Sequence, residues 1–166
     1  MQTRAFIIAC ALALSVTCSL RAQQVSHAYC EKDGKAHIVY RDNSEQIVHP
    51  QKDQVGCEHL NIADNASTVA WSVLVNNCCT SYPIPMSVVV YRVRRQTVIS
   101  PGQMVWDWHF VDKGDLLAVL CGPVHGEPGK ATLYNAHNGR VVAEWEGKGT
   151  PPGWASTWQT NFSQKP

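Results

Sequence analysis

Charge is scarce in this chain: Asp, Glu, Lys and Arg make up 16% of its 166 residues, with 14 basic side chains against 13 acidic ones. No basic stripe is present to follow a phosphate backbone, which argues against nucleic acid as a partner. The chain also lacks a GxSxG elbow, a phosphate-binding glycine loop, an HExxH helix and a CxxC pair, so hydrolase, nucleotide, zinc-protease and thioredoxin-like chemistry lose their usual signatures. Missing too is any apolar run of the roughly 20 residues that a membrane span needs. The longest, Ala5 to Val16, follows Arg4 and precedes small and polar residues up to Ala22. That is the pattern of a secretory signal peptide, with cleavage expected after Ala22. A lipid anchor on Cys10 or Cys18 fits less well, because Cys10 has almost no apolar run before it and Thr17 is a poor neighbour for Cys18.

Removing residues 1–22 leaves 144 residues, enough for one domain with a real core, and 12 basic against 13 acidic residues. The expected location is secreted or periplasmic, where disulfides persist. Five cysteines remain: Cys30, Cys57, Cys78, Cys79 and Cys121. An odd number allows at most two bridges, and spacing does not fix the connectivity. Adjacent cysteines seldom bridge each other, because the small ring strains the peptide bond between them, so one of Cys78 and Cys79 is expected to bridge elsewhere.

From Ser26 onward, short runs of Val, Ile, Tyr and Trp alternate with turn residues about every ten positions, which predicts an all-β antiparallel meander. Strands are expected over 26–31, 36–41, 45–49, 57–63, 68–76, 86–93, 97–100, 104–111, 116–121, 131–135 and 140–145. Asp33-Gly34 and Asp42-Asn43 supply hairpin turns. The loop 77–85 carries Cys78, Cys79, Pro83 and Pro85, and its prolines place it outside the sheet.

Two repeats run through this pattern. Shifting Trp106–Cys121 back by 48 positions lays Trp108 on Leu60, Phe110 on Ile62, Asp112 on Asp64, Leu117 on Val69 and Ala118 on Ala70. Ile38–Val48, Val89–Ile99 and Thr132–Val142 each place a tyrosine (Tyr40, Tyr91, Tyr134) before a polar turn and an aliphatic pair. Together they define a unit of four strands and roughly 45 residues, the length of a propeller blade. On Phe110-Val111-Asp112-Lys113-Gly114 with Leu116-Leu117-Ala118, and on Thr132-Leu133-Tyr134, residues 57–146 resemble two blades of the WD-repeat and TolB-type β-propeller class. Residues 26–49 supply part of a third. Closed propellers have at least about four blades, so the resemblance implies sheets that stack differently, close by oligomerising, or are covered by the tail. The tail, residues 147–166, carries Trp154 and Trp158, four apart as on one helical turn. They are expected either to cap a sheet face or to form an aromatic arm that binds a partner.

Strand alternation predicts Trp106, Trp108 and Phe110 on one face and Asp107 and His109 on the other, with His59 on the polar face of the equivalent strand. His59, Asp107 and His109 are therefore the candidate metal ligands, and would serve a metal-dependent hydrolase if they converged. The opposing reading is a hydrogen-bonded polar face. Cys121 and His125, four apart, are the candidate pair for a thiol-dependent enzyme; against it, Cys121 ends a buried strand. Asn65-Ala66-Ser67 and Asn161-Phe162-Ser163 are sequons, although a turn at Asn65 explains the first. The leading expectation is a non-catalytic binding module with protein partners or self-association, its specificity carried by the long loops 77–85 and 122–130. No cofactor is expected.

Overall fold

The computed structural model describes residues 23–127 and 129–162, so the expected signal peptide, with Cys10 and Cys18, and the last residue of the second sequon lie outside the described residues. All eleven expected strands are present: β1 (Val25–Cys30), β2 (Ala36–Tyr40), β3 (Glu45–Val48), β4 (Gln54–Ile62), β5 (Thr68–Val75), β6 (Ile84–Arg92), β7 (Arg95–Ile99), β8 (Met104–Val111), β9 (Leu116–Gly122), β10 (Lys130–Asn135) and β11 (Val141–Trp145). They form three antiparallel meanders, β1-β2-β3, β4-β5-β6-β7 and β8-β9-β10-β11, none closed into a barrel. We call them the N-terminal, central and C-terminal sheets.

The sheets stack face on face around two cores, and the tail closes a third. Val69, Trp71, Val73, Val89 and Tyr91 of the central sheet meet Val25, Ala36, Ile38, Tyr40 and Val48 of the N-terminal sheet. From the opposite face, Ala70, Val88, Val90 and Ile99 meet Val105, Trp108, Leu117, Val119 and Tyr134 of the C-terminal sheet. A sheet covered on both sides needs apolar residues at every position, and this is why β5 and β6 read as continuous apolar runs instead of alternating. The indole N–H that Trp108 brings into the second core is matched: Nε1 donates to Ser72 Oγ at 2.9 Å.

Two expectations are corrected. First, Trp106 does not share the face of Trp108. The β8–β9 register slips between Val105 and Asp107, so Val105 takes the core position and Trp106 stands 40% exposed. A bulge inserts one residue and reverses the alternation beyond it. A register shift falls between Glu58 and Asn61 in the equivalent strand β4. Second, β6 begins at Ile84, so Pro85 sits inside a strand, opposite Leu74 where the β5–β6 register is irregular; the irregularity admits a residue that cannot donate. The structure also shows the N-terminal sheet turned over relative to its sequence repeat. Tyr134 faces the preceding sheet and so does Tyr91, but Tyr40 faces the following one. Tyr40 and Tyr91 therefore meet in the same core, where burial, with Tyr40 beside it, pushes the Tyr91 phenol up to about 12.

Cys30 of β1 and Cys57 of β4 form a disulfide that staples the first two sheets, with Cα atoms 6.0 Å apart and a separation of 27 in sequence. Closing a loop of that length is worth about 3.5 kcal/mol in the chain-entropy account. At the other side of the stack, a 3-10 turn, Gly153–Trp158, and a short helix, Gln159–Phe162, lie over the outer face of the C-terminal sheet. Ala155 and Trp158 are buried there with Ala118, Leu120, Ala131, Leu133 and Trp145. Phe162 packs edge-on against Trp145, with ring centroids 4.6 Å apart. Its ring also occupies the space beside Gly147, where a Cβ would meet it at 2.1 Å.

Candidate functional site

The strands of the central and C-terminal sheets run in matching directions, so their connections gather at two ends. One end holds the tight turns. Gly114, at φ +100, lies against the neighbouring sheet, and a Cβ there would come within 2.5 Å of the Ala63 Cβ. Asn65 Oδ1 accepts the backbone N–H groups of Ser67 and Thr68 at 2.9 and 3.0 Å. This local turn accounts for the asparagine of the first sequon. Arg92 Nη1 donates to Asp115 Oδ1 at 2.7 Å, and His137 Nε2 lies 3.0 Å from the same oxygen. Arg92 first, then His137, hold the Asp115 carboxyl below the usual range. The main chain adds a bond from Ala136 N–H to Asp115 O at 2.9 Å.

The opposite end holds the long connections, residues 76–83 between β5 and β6 and residues 123–129 between β9 and β10. Here Tyr82 is 62% exposed, Trp106 40% and Val55 38%. Trp106 Nε1 donates to the Pro123 carbonyl at 3.3 Å, fixing its indole beside the second loop. His125 is exposed in that loop. Cys78 and Cys79 are exposed thiols in the first, with sulfurs 2.8 Å apart. Contact with Cys78 raises the Cys79 pKa. The expectation that one of the pair bridges elsewhere is thus replaced by two sulfurs facing each other. The reason is positional: their loop lies outside the sheets, Cys30 has taken Cys57, and Cys121 is buried.

No protein-family model and no curated protein matches this chain. Its chemistry has to be read from its own side chains.

His59 and Asp107 do come together across the sheets, His59 Nδ1 lying 3.7 Å from Asp107 Oδ1. The rest of their surroundings is not that of a ligand set. Asp107 Oδ2 accepts the Trp158 Nε1–H at 2.7 Å and Oδ1 accepts the Trp108 backbone N–H at 2.8 Å. The His59 ring stacks on Trp108, centroids 4.6 Å apart, and the His109 ring lies against Trp158 at 4.7 Å. Burial depresses the His109 pKa, offset in part by a backbone hydrogen bond with Trp154 and by Asp107. Among the described residues no three His, Cys, Asp or Glu side chains gather where an ion could be held. Asp107 and His109 anchor the tail to β8, while His59 packs on Trp108 beside them. Trp158, a candidate partner-binding aromatic, is 3% exposed and belongs to that anchor. Trp154 packs against the same core. The tail is a cap because a sheet face of Ala118, Leu120 and Leu133 must be covered, and these indoles cover it.

Cys121 is fully buried, and its Sγ lies 3.7 Å from the Lys130 carbonyl. Burial raises the pKa of this thiol, the direction opposite to what a nucleophile requires. The residues that sequence reasoning passed over are Tyr82 and Val55. Their signals were faint: a tyrosine placed between Ser81 and Pro83, and a valine at a strand start read as loop.

Proposed function

We propose that this protein is a non-catalytic binding module that docks protein partners on its long-loop end. The observation that carries this is where the exposed aromatic rings stand. Tyr82 and Trp106 stand out at the long-loop end, whereas the large hydrophobics exposed near the turns, Val93, Val141 and Val142, are all valines. Exposed aromatics held by a rigid scaffold are the side chains that anchor protein interfaces. The stacked four-stranded units support the likeness to the WD-repeat and TolB-type propeller class, and the Cys30–Cys57 bridge supports a secreted or periplasmic location. No described helix is long and apolar enough to cross a membrane.

The test is a photo-crosslinking amino acid placed at Tyr82, and in a second protein at Val141, which is 55% exposed near the turns. Partner adducts formed from position 82 and not from 141 are expected. Adducts from 141 alone, or equal labelling from both, would sink the reading.

A second reading, self-association, is favoured by one observation. The outer face of the N-terminal sheet is uncovered among the described residues and presents Tyr29, 43% exposed, and Ile47, 41% exposed. His37 is held between them, stacked on Tyr29 at 4.6 Å and hydrogen-bonded to Glu45 at 2.7 Å. Sedimentation of the wild type and of Ile47→Lys distinguishes this reading, since only a dimer using that face would be dissociated by the lysine.

A further inference from the structure

Two neighbouring side chains in an extended strand point to opposite sides. Cys78 and Cys79 do not: they occupy a turn, and their sulfurs touch at 2.8 Å. The turn is braced on the following side, where Thr80 Oγ1 donates to the Tyr82 carbonyl at 2.6 Å before β6 begins at Ile84. Both thiols are exposed, so small reagents reach them. Among the described residues neither has a third sulfur to pair with, because Cys30 and Cys57 are joined and Cys121 is buried in the C-terminal sheet.

We propose that Cys78 and Cys79 form a redox-active dithiol that exchanges with low-molecular-weight disulfides and closes to a vicinal disulfide. One thiolate of the pair attacks a sulfur of the small disulfide, forming a mixed disulfide and expelling one small thiolate. The second cysteine loses its proton to solvent and attacks the protein-side sulfur of that mixed bond. The small partner leaves as a second thiol. The net change is two protein thiols oxidised to one disulfide and one small disulfide reduced to two thiols, with electrons and protons balanced. The influence of Cys78 that holds the Cys79 proton in place disappears once the Cys78 sulfur is tied in the mixed disulfide. The second step is thereby released by the first.

The strain that makes adjacent cysteines poor structural bridges is what makes them exchange. Exposed, strained disulfides are the more oxidising and labile class, whereas packed bridges resist reduction. Cys30–Cys57, which joins two sheets, is of the packed kind, and Cys78–Cys79, once closed, is of the labile kind, joining nothing beyond its own loop. The inference does not depend on the docking reading, although it would make the Tyr82 loop sensitive to redox conditions.

The experiment equilibrates the full protein in glutathione buffers of graded oxidised-to-reduced ratio, quenches with acid, alkylates, and reads the peptide containing Cys78 and Cys79 by mass. In the wild type this peptide is expected to pass from doubly alkylated to the unalkylated ring form, with only traces carrying glutathione. Cys78→Ser and Cys79→Ser are each expected to stop at the glutathione adduct across the same ratios, while Cys30–Cys57 stays closed throughout. Wild-type peptide that accumulates the adduct, stays alkylatable at every ratio, or becomes linked to Cys121 would overturn the proposal.

Discussion

The same strand plan ends in two different ways. At the turns and under the tail the stack is closed: Gly114 lies against Ala63, Arg92 and His137 converge on Asp115, and Trp158 is tied to Asp107. At the long loops it is open, with Tyr82, Cys78, Cys79 and His125 exposed. The difference separates residues that hold the fold from residues free to meet something else. The side chains named in the closed regions are committed to internal partners, unlike the exposed Val93 and Val141 near them, so their substitution is felt as lost stability. Substitution at the loops leaves the fold alone.

The largest contrast is expected between Trp158→Ala and Tyr82→Ala. Trp158 is 3% exposed and loses both its packing and its bond to Asp107, so its removal should destabilise by about 3 kcal/mol. Tyr82 is 62% exposed, and its removal should change stability by less than about 0.5 kcal/mol. Urea unfolding of the two variants checks both values. Equal losses would mean that the open end is as tightly committed as the closed one.

A glycine pair sharpens the same point. Gly114→Ala meets Ala63 at 2.5 Å and holds φ at +100, so overpacking and backbone strain combine to a loss of about 2–4 kcal/mol. Gly102→Ala, in the connection leading into β8, keeps a φ of +78 but has nothing within 4 Å, leaving only the backbone term of about 1 kcal/mol. Thermal melts of the two proteins should rank in that order. The closed end also carries a strained turn of its own. Val93 and Arg94 join β6 to β7 with φ of +49 and +59, a conformation suited to Asn-Gly and hostile to a β-branched residue. Replacing the two by Asn and Gly should stabilise by about 1 kcal/mol, and an unchanged denaturation midpoint would show that the turn relaxes at no cost.

The strands were legible because their signals are local. Asp33-Gly34 and Asp42-Asn43 mark turns wherever they occur, and β-branched runs between such marks have few alternatives to a ladder. Faces and partners were less legible because they depend on what lies across the sheet. Trp106 leaves the core through a one-residue bulge that alternation cannot foresee. Tyr40 obeys the sequence repeat and still faces the opposite way, because the first sheet packs turned over against the central one. Of the candidate site residues, His59 and Asp107 were placed together correctly, since equivalent strands of neighbouring sheets do adjoin. Their partners were not foreseen: the indoles of Trp108 and Trp158 come from a core and from the tail, and no spacing along the chain connects them to a histidine. The bridge between Cys30 and Cys57 lay among several open possibilities and needed the sheet packing to select it.

The smallest effect expected is that of pH on the cap. Burial holds His109 below its ordinary value of 6.5, so the folded protein keeps the ring neutral where the unfolded chain would protonate it. As pH falls below about 6.5, the unfolded state takes up the proton first and gains relative to the fold; stability is then lost until the folded ring itself protonates. Because His109 lies against Trp158 and its backbone bond reaches Trp154, the loss should appear first as loosening of the tail. Tryptophan fluorescence and hydrogen exchange over 153–162 should respond between pH 7 and pH 5, before the sheets do. Asp115, held down by Arg92 and His137, contributes only later, as pH approaches its ordinary value of 3.8 from above. His109→Gln should flatten the first response and leave the second. If the tail loosens unchanged in that variant, a titrating group other than His109 governs the cap.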